Sequence, residues 1–284
     1  MKFIKMNRRD FLKKFTQLTV LGAFPFLYSW QIEPFWVEFV YKKMPIKNLP
    51  EELEGKTLIQ ISDLHVGNRF DWKFLIDSFR KAQKLKPDFV VYTGDFVQYG
   101  NQSERKDLET VLQNAVLGKL GTVGILGNHD YGKNWSEPDV ADEIVKIAEN
   151  YKKKMLLDEE FEVFGLNFIG FEDLWSNRFQ PEKAMQDFNP EKANLVLCHN
   201  PDACDLDIWN GYQGWILSGH THGGQCRIPG VVTPFLPVKN RKYISGKIDL
   251  EDGRTLYINR AIGHSYQVRF MVRPEITVFT FTQS

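Results

Sequence analysis

Thr57-Leu58-Ile59-Gln60-Ile61-Ser62-Asp63-Leu64-His65 is the stretch whose reading decides the fold. Its first six residues are rich in β-branched and aliphatic side chains and read as a buried β-strand that runs straight into Asp-x-His. Residues 71–86 follow with Phe74, Leu75, Phe79, Ala82 and Leu85 at helical spacing. The plan then repeats: strand 88–93 leads into Gly94-Asp95, a helix near 103–117 follows, strand 122–126 leads into Gly127-Asn128-His129-Asp130, and a helix spans about 138–149. Alternating strands and helices of this length predict a largely parallel central sheet.

Further strands are expected at 155–157, 161–164, 167–171, 194–198 and 214–217, the last two running into Cys198-His199-Asn200 and Gly219-His220-Thr221-His222. Beyond these the character changes. Residues 247–250, 255–259 and 275–282 read as strands, with a Glu251-Asp252-Gly253 turn, and predict a second, partly antiparallel sheet. Upstream, 36–41 is strand-like and 45–54 is a connector. The expected organisation is an N-terminal signal or anchor (1–32), a connector with a first strand (33–55) and a catalytic domain (56–284).

Five of the six histidines fall in the five motifs at these strand ends. Singly, each motif is an ordinary capped turn or core histidine; in this order, at strand ends, they read as one site. Hydrolysis of a phosphate ester needs a nucleophile drawn from water at neutral pH and positive charge for the phosphoryl oxygens, and two metal ions about 3.5–4 Å apart supply both. A mixture of carboxylate, imidazole and amide oxygen suits borderline ions such as Mn, Fe, Zn or Ni.

The motif set resembles that of the calcineurin-like metallophosphoesterases, over roughly residue 56 to the C-terminus. The resemblance implies an α/β fold, a four-layer α/β/β/α sandwich with two mixed central sheets. It also implies that Asp63, His65 and His222 hold one ion, that Asn128, His199 and His220 hold a second, and that Asp95 bridges them. One carboxylate giving an oxygen to each cation relieves their repulsion. His129 would face the substrate and serve the leaving oxygen, with Asp130 orienting it as a supporting carboxylate.

Gly223-Gly224-Gln225, the 229–237 segment and Asn240-Arg241 resemble a branch of bacterial membrane-associated phosphoesterases that includes enzymes cleaving UDP-2,3-diacylglucosamine in lipid A synthesis and exported phosphodiesterases. The implied substrate is a phosphorylated small molecule or a lipid-linked envelope phosphate. Arg69, Arg178, Arg227 and Arg241 are candidates to hold a further phosphate or sugar, against the alternative of surface ion pairs. Trp175 and Phe179, and the run Val231, Val232, Phe235 and Leu236, offer an acyl or bilayer contact or local packing. His264 is expected to be structural.

The chain has 284 residues, with 36 basic and 36 acidic. Six basic residues against Asp10 put +5 on the first fourteen positions, so the rest carries −5, which argues against nucleic acid as a partner. Three cysteines without a CxxC pair form no disulfide framework. Asn7-Arg8-Arg9-Asp10-Phe11-Leu12 resembles a twin-arginine export signal and precedes an uncharged stretch at 15–32. Trp30, Phe35 and Trp36 sit where interfacial aromatics of an anchor would lie. The reading is a membrane-associated protein carried outside by the twin-arginine machinery, cleaved or still anchored. The lipid A precursor reading requires the cytoplasmic face instead. A non-catalytic envelope metal-binding protein is the alternative of another class.

Overall fold

Strands Glu38–Ile46 (β1), Thr57–Ile61 (β2), Phe89–Thr93 (β3), Gly121–Ile125 (β4), Lys154–Met155 (β5) and Glu275–Gln283 (β12) form one sheet, in the order β1-β12-β2-β3-β4-β5. Strands Glu159–Val163 (β6), Leu166–Gly170 (β7), Ala193–Leu197 (β8), Gly214–Ser218 (β9), Gly246–Asp249 (β10) and Arg254–Ile258 (β11) form the other, in the order β10-β11-β9-β8-β7-β6. The structure is a computed structural model that describes residues 7–9, 13, 23–67, 71–228, 230, 231, 233 and 236–284.

The period-2 alternation of the strands decides the layering. On β3, Phe89 and Val91 face the second sheet and pack with Phe168, Leu195, Leu217 and Phe279. Val90 and Tyr92 face the other way, onto helices Trp72–Gln83 (α1), Gln102–Leu112 (α2) and Pro138–Asn150 (α3), through Leu75, Phe79, Leu108, Val111, Ile144 and Ala148. The outer face of the second sheet, with Ile169, Val196, Ile216 and Leu256, is covered by the one-turn helix Pro181–Met185 (α4), Trp209 and Tyr212. The result is the expected four-layer α/β/β/α sandwich with two mixed sheets.

Strands β2 to β5 run parallel, as do β7, β8, β9 and β11, so the carboxyl ends of both parallel sets open on one edge of the sandwich. Gln60 ties that edge together: its Nε2 donates to Thr93 Oγ1 at 3.1 Å and to the Ser218 carbonyl at 3.0 Å, joining β2, β3 and β9.

The C-terminal strands do not share one sheet. β10 and β11 form the expected antiparallel pair, but β12 returns to the first sheet, antiparallel to β2 and parallel to β1. Both of its faces are apolar, Ile276 and Val278 toward the helices and Phe279 and Phe281 between the sheets, which is what an interior strand requires. β1 extends to Ile46 and takes Pro45 without loss, because an edge strand needs no donor on its outer side.

Residues 28–37 clasp the loop at 266–273. Ser29 accepts from the Arg269 amide at 2.8 Å, the buried Glu33 carboxylate accepts from the amides of Met271 and Val272, and Arg273 lies 4.2 Å over the Trp36 ring. Among the described residues no helix is long and apolar enough to cross a membrane. Much of the basic and apolar N-terminal segment, including Lys2, Lys5, Asp10, Phe11, Leu12, Lys14 and 15–22, lies outside the described residues, as do Arg69, Val232 and Phe235.

Candidate metal centre

Asp63, His65, Asp95 and His222 bring ligand atoms within 4.8 Å of one another, and Asp95, His199 and His220 do the same. All are buried, and Asp95 belongs to both groups. Its Oδ1 accepts from the His129 amide at 2.9 Å, which leaves Oδ2 at 3.5 Å from His65 Nε2 and 3.3 Å from His199 Nε2. One carboxylate oxygen thus stands between the two clusters.

Five of the seven residues implied as ligands (Asp63, His65, Asp95, His220 and His222) have φ between +46° and +69°. A left-handed turn immediately after an extended strand swings the side chain back over the strand end. For residues other than glycine this costs roughly 1–3 kcal/mol each and persists only where the surroundings enforce it. Two glycines make the close packing possible. Gly94 has φ +89°, and a Cβ there would lie 2.6 Å from His199 Nδ1; a Cβ on Gly219 would lie 2.0 Å from Ser62 Oγ.

Hydrogen bonds fix which ring nitrogen each imidazole presents, since a carbonyl can only accept. His199 Nδ1 donates to the Thr93 carbonyl at 2.6 Å, so its Nε2 faces Asp95. His220 Nε2 donates to the Pro237 carbonyl at 2.8 Å, leaving Nδ1 for the cluster. His65 and His222 meet Nε2 to Nε2 at 2.9 Å, with Asp63 Oδ1 3.2 Å from His222. The Asn128 Oδ1 is buried with no hydrogen-bond partner among the described residues. Converging imidazole nitrogens, two carboxylates and an orphaned amide oxygen fit a pair of divalent cations, each offering what a buried polar atom otherwise lacks.

The charge balance agrees. Burial pushes the Asp63 carboxyl up, but His222 and His199 outweigh it and hold it at about 2. Asp95 is likewise held well below the carboxylate range, burial being overcome by His199 and His129. Burial drives His65 well below its ordinary value, and burial with the neighbouring His199 takes His220 down to about 3. His199 goes up, because Asp95 outweighs its burial. Both carboxylates are thus held ionised and His65 and His220 neutral, the protonation that metal ligation requires of them.

His129 is only half-buried, with its ring 4.8 Å from His65. Its Nδ1 donates to the Gln98 carbonyl at 2.7 Å, so Nε2 is the nitrogen that can exchange a proton. Asp130 does not perform the orienting role expected of it. Its Oδ1 accepts from the amides of Phe96 and Val97 at 2.8 and 3.2 Å, and its Oδ2 from Gly127 at 2.9 Å. Amides left unpaired where β3 and β4 end outcompete the neighbouring imidazole, so Asp130 clamps the Asp95 loop while Gln98 orients His129.

The three candidate arginines among the described residues already hold oxygens. Arg178 pairs with Asp142 through two hydrogen bonds, Arg227 donates to the Gly223 carbonyl and Ser245 Oγ, and Arg241 donates to the carbonyls of Leu236 and Thr233. Neither cluster includes a cysteine; burial pushes the Cys198 thiol well up, and its Sγ donates to the Asn200 carbonyl. His264 is buried against Phe35 and the charge of Arg269, and burial first of all takes it down to about 2. Sequence reasoning missed Trp135, which stacks on Trp175 beside the clusters at 4.8 Å. Its only sequence signal is its place six residues after His129.

The calcineurin-like phosphoesterase family profile matches residues 56–224, a span that contains both clusters. Phosphodiesterase YaeI of Escherichia coli K12 is 28% identical over 279 residues, covering 96% of this chain and 98% of that protein. UDP-2,3-diacylglucosamine pyrophosphatase LpxG of Chlamydia trachomatis serovar D is 28% identical over 283 residues, covering 81% of this chain and 85% of that one. The crystal structure of a dimetal phosphatase from Danio rerio shares the fold, with a TM-score of 0.50 at 12% identity, covering 81% of this chain and 100% of the other. With the family matched over more than half its length, this chain belongs to the calcineurin-like phosphoesterases and is a hydrolase of phosphoester bonds.

Proposed function

We propose that this hydrolase cleaves a phosphodiester or pyrophosphate bond with two divalent ions, one held by Asp63, His65, Asp95 and His222 and the other by Asp95, Asn128, His199 and His220. The observation that carries the reading is the Asp95 Oδ2 standing 3.5 Å from His65 and 3.3 Å from His199, with the half-buried His129 beside it. The donor set suits Mn, Fe, Zn or Ni. When bound, the ions would supply positive charge for the phosphoryl oxygens and a nucleophile drawn from water at neutral pH.

The protein groups divide the remaining work. Asp130, through three backbone amides, and the His129 amide, through Asp95 Oδ1, hold the bridging carboxylate in one orientation. His129, oriented by the Gln98 carbonyl, gives the departing oxygen its Nε2 proton from the doubly protonated ring and is left as the Nδ1–H tautomer. A substrate phosphate reaching Arg178, Arg227 or Arg241 would share or displace the oxygens they already hold.

The substrate we favour is a lipid-linked or envelope phosphate met at a membrane outside the cytoplasm. The twin-arginine-like Asn7-Arg8-Arg9-Asp10-Phe11-Leu12 supports export, and exposed Phe24, Phe26, Trp30, Tyr266 and Met271, on two segments joined by the Ser29–Arg269 bond, support contact with a bilayer. Similarity to LpxG over 81% of the chain keeps a second reading, hydrolysis of UDP-2,3-diacylglucosamine, which would place the site on the cytoplasmic face.

The test is turnover of bis(4-nitrophenyl) phosphate, 4-nitrophenyl phosphate and UDP-2,3-diacylglucosamine by the full chain in detergent, with Mn²⁺, Zn²⁺ or Mg²⁺. The expected result is metal-dependent diester or pyrophosphate cleavage that exceeds monoester cleavage and is abolished by EDTA. Folded, metal-loaded protein that cleaves none of the three would move the site to a non-catalytic envelope metal-binding protein.

A further inference from the structure

Trp135 and Trp175 stack with ring centroids 4.8 Å apart and planes 30° from parallel. The Trp175 ring meets His220 edge-on at 4.6 Å, and the Trp135 ring meets His129 at 6.3 Å. Tyr99 also borders His129, at 6.4 Å. Three aromatic side chains from three separate loops therefore stand beside His129 and the cluster residue His220. Trp135 is 37% exposed and Tyr99 40%, while His65, His199, His220 and His222 are all buried at 9% or less. The collar is the wet rim of the centre.

The indoles are held in place by their own backbone. Trp135 has φ +57°, a left-handed conformation that a bulky side chain adopts only when its surroundings demand it, and its amide donates to the Gly132 carbonyl at 3.2 Å. The Trp175 amide donates at 2.8 Å to the carboxylate of fully buried Asp173. A strained, exposed tryptophan stacked on a second one is costly to maintain as mere cover, and any aliphatic residue would cover as well.

A flat, preorganised π surface recognises a planar ring, because stacking is strong for any base and tolerant of its identity. A sugar ring would need free polar side chains around it, whereas Arg178 is tied to Asp142, Asp173 to the Trp175 amide, and Glu172 to Tyr131. An acyl chain fits better elsewhere, in the cavity of about 340 Å³ lined by Ile228, Val231 and Met271.

We propose that Trp135 and Trp175 form a stacking subsite for the nucleobase of a nucleoside-bearing phosphodiester or pyrophosphate, whose phosphate the metal centre holds. This rests on the hydrolase reading above.

Thymidine 5′-(4-nitrophenyl phosphate) and methyl 4-nitrophenyl phosphate release the same phenolate and differ only in the retained arm, so the ratio of their kcat/KM values isolates recognition of that arm. With metal-loaded full chain we expect the thymidine ester to be favoured by about tenfold or more. Trp135→Ala should bring the ratio to within about threefold of unity, chiefly through KM, and Trp135→Phe should give an intermediate value. A wild-type ratio near unity, or a ratio unchanged in both variants, overturns the subsite while leaving the hydrolase intact. If neither ester is cleaved the phosphodiester reading fails separately, and quenching of tryptophan fluorescence by thymidine 5′-monophosphate decides. Saturable quenching that weakens about tenfold in Trp135→Ala, or less in Trp135→Phe if the alanine variant does not fold, upholds the subsite; its absence overturns it.

Discussion

Phe279 and Asp95 are both buried to within 1% of completely, and they are buried for opposite reasons. Phe279 lies between the sheets with Tyr257 and Trp215 rings at 5.1 and 5.8 Å, on a regular strand that asks nothing unusual of its backbone. Asp95 sits in a left-handed turn at a strand end, its charge removed from water among converging imidazoles. The space between the sheets stores stability, and the strand ends spend part of it on holding strained, desolvated groups ready for metal. Equal burial therefore predicts opposite responses to mutation.

The largest effect is expected at Asp95. Asp95→Asn keeps an acceptor for the His129 amide but removes the charge shared by both clusters, so kcat/KM on a diester should fall about 10³-fold or more. Its melting temperature in EDTA should stay within about three degrees, because relief of the buried carboxylate's desolvation is offset by loss of its pairing with His199. A variant that melts several degrees lower in EDTA would make Asp95 a structural residue and break the contrast.

Phe279→Ala should do the reverse. Truncating a buried phenylalanine costs about 3–5 kcal/mol in denaturant-midpoint measurements, while kcat/KM per folded molecule should stay within about twofold. Loss of activity in molecules that remain folded would show that the inter-sheet core also sets the metal geometry.

Lys153 sharpens the comparison, since it is a buried charge outside the candidate ligand set. Burial takes it from 10.5 to about 7, with its Nζ donating to the Tyr151 carbonyl and lying 5.1 Å over the Tyr92 ring. Its folded value is below its unfolded one, so between about pH 7 and 10.5 the unfolded chain binds more protons and stability rises with pH across that window. The penalty is full below about 7 and gone above 10.5. Lys153→Met should therefore stabilise by about 1–3 kcal/mol at neutral pH, less than the full penalty because the Tyr151 hydrogen bond is forfeited, and by nothing near pH 10.5. A gain independent of pH would mean better packing rather than relief of a desolvated charge.

The same division explains what could be read from the sequence. The ligand motifs were legible because each short strand advertises itself by a β-rich apolar run, and the residue after its end is fixed by chain order alone. Left-handed φ at Asp63 or His222 has no such signature, since propensity favours Gly or Asn there. Asp130 looked like a partner for its neighbour His129, but the unpaired amides of Phe96, Val97 and Gly127 are close only after β3 and β4 have paired. The return of β12 beside β2, and the meeting of Trp135 with Trp175 across forty residues, are equally products of tertiary register.

The smallest effect is expected at Arg178, three residues beyond Trp175. Its guanidinium pairs with Asp142 at 2.5 and 2.9 Å, but Asp142 is 57% exposed, and a pair so open to solvent contributes less than about 1 kcal/mol. Arg178 follows Trp175 on the same loop, so the residue is either a brace for the 172–180 loop or a reserve contact for a second phosphate. As a brace, Arg178→Ala should shift the melting temperature by no more than a few degrees, leave diester kcat/KM within about twofold, and be reproduced by Asp142→Ala. As a phosphate contact, Arg178→Ala should raise KM for a pyrophosphate substrate about tenfold while Asp142→Ala lowers it, because freeing the guanidinium would favour substrate. The bidentate geometry favours the brace, and opposite responses of the two variants would extend the functional face of the molecule to α3.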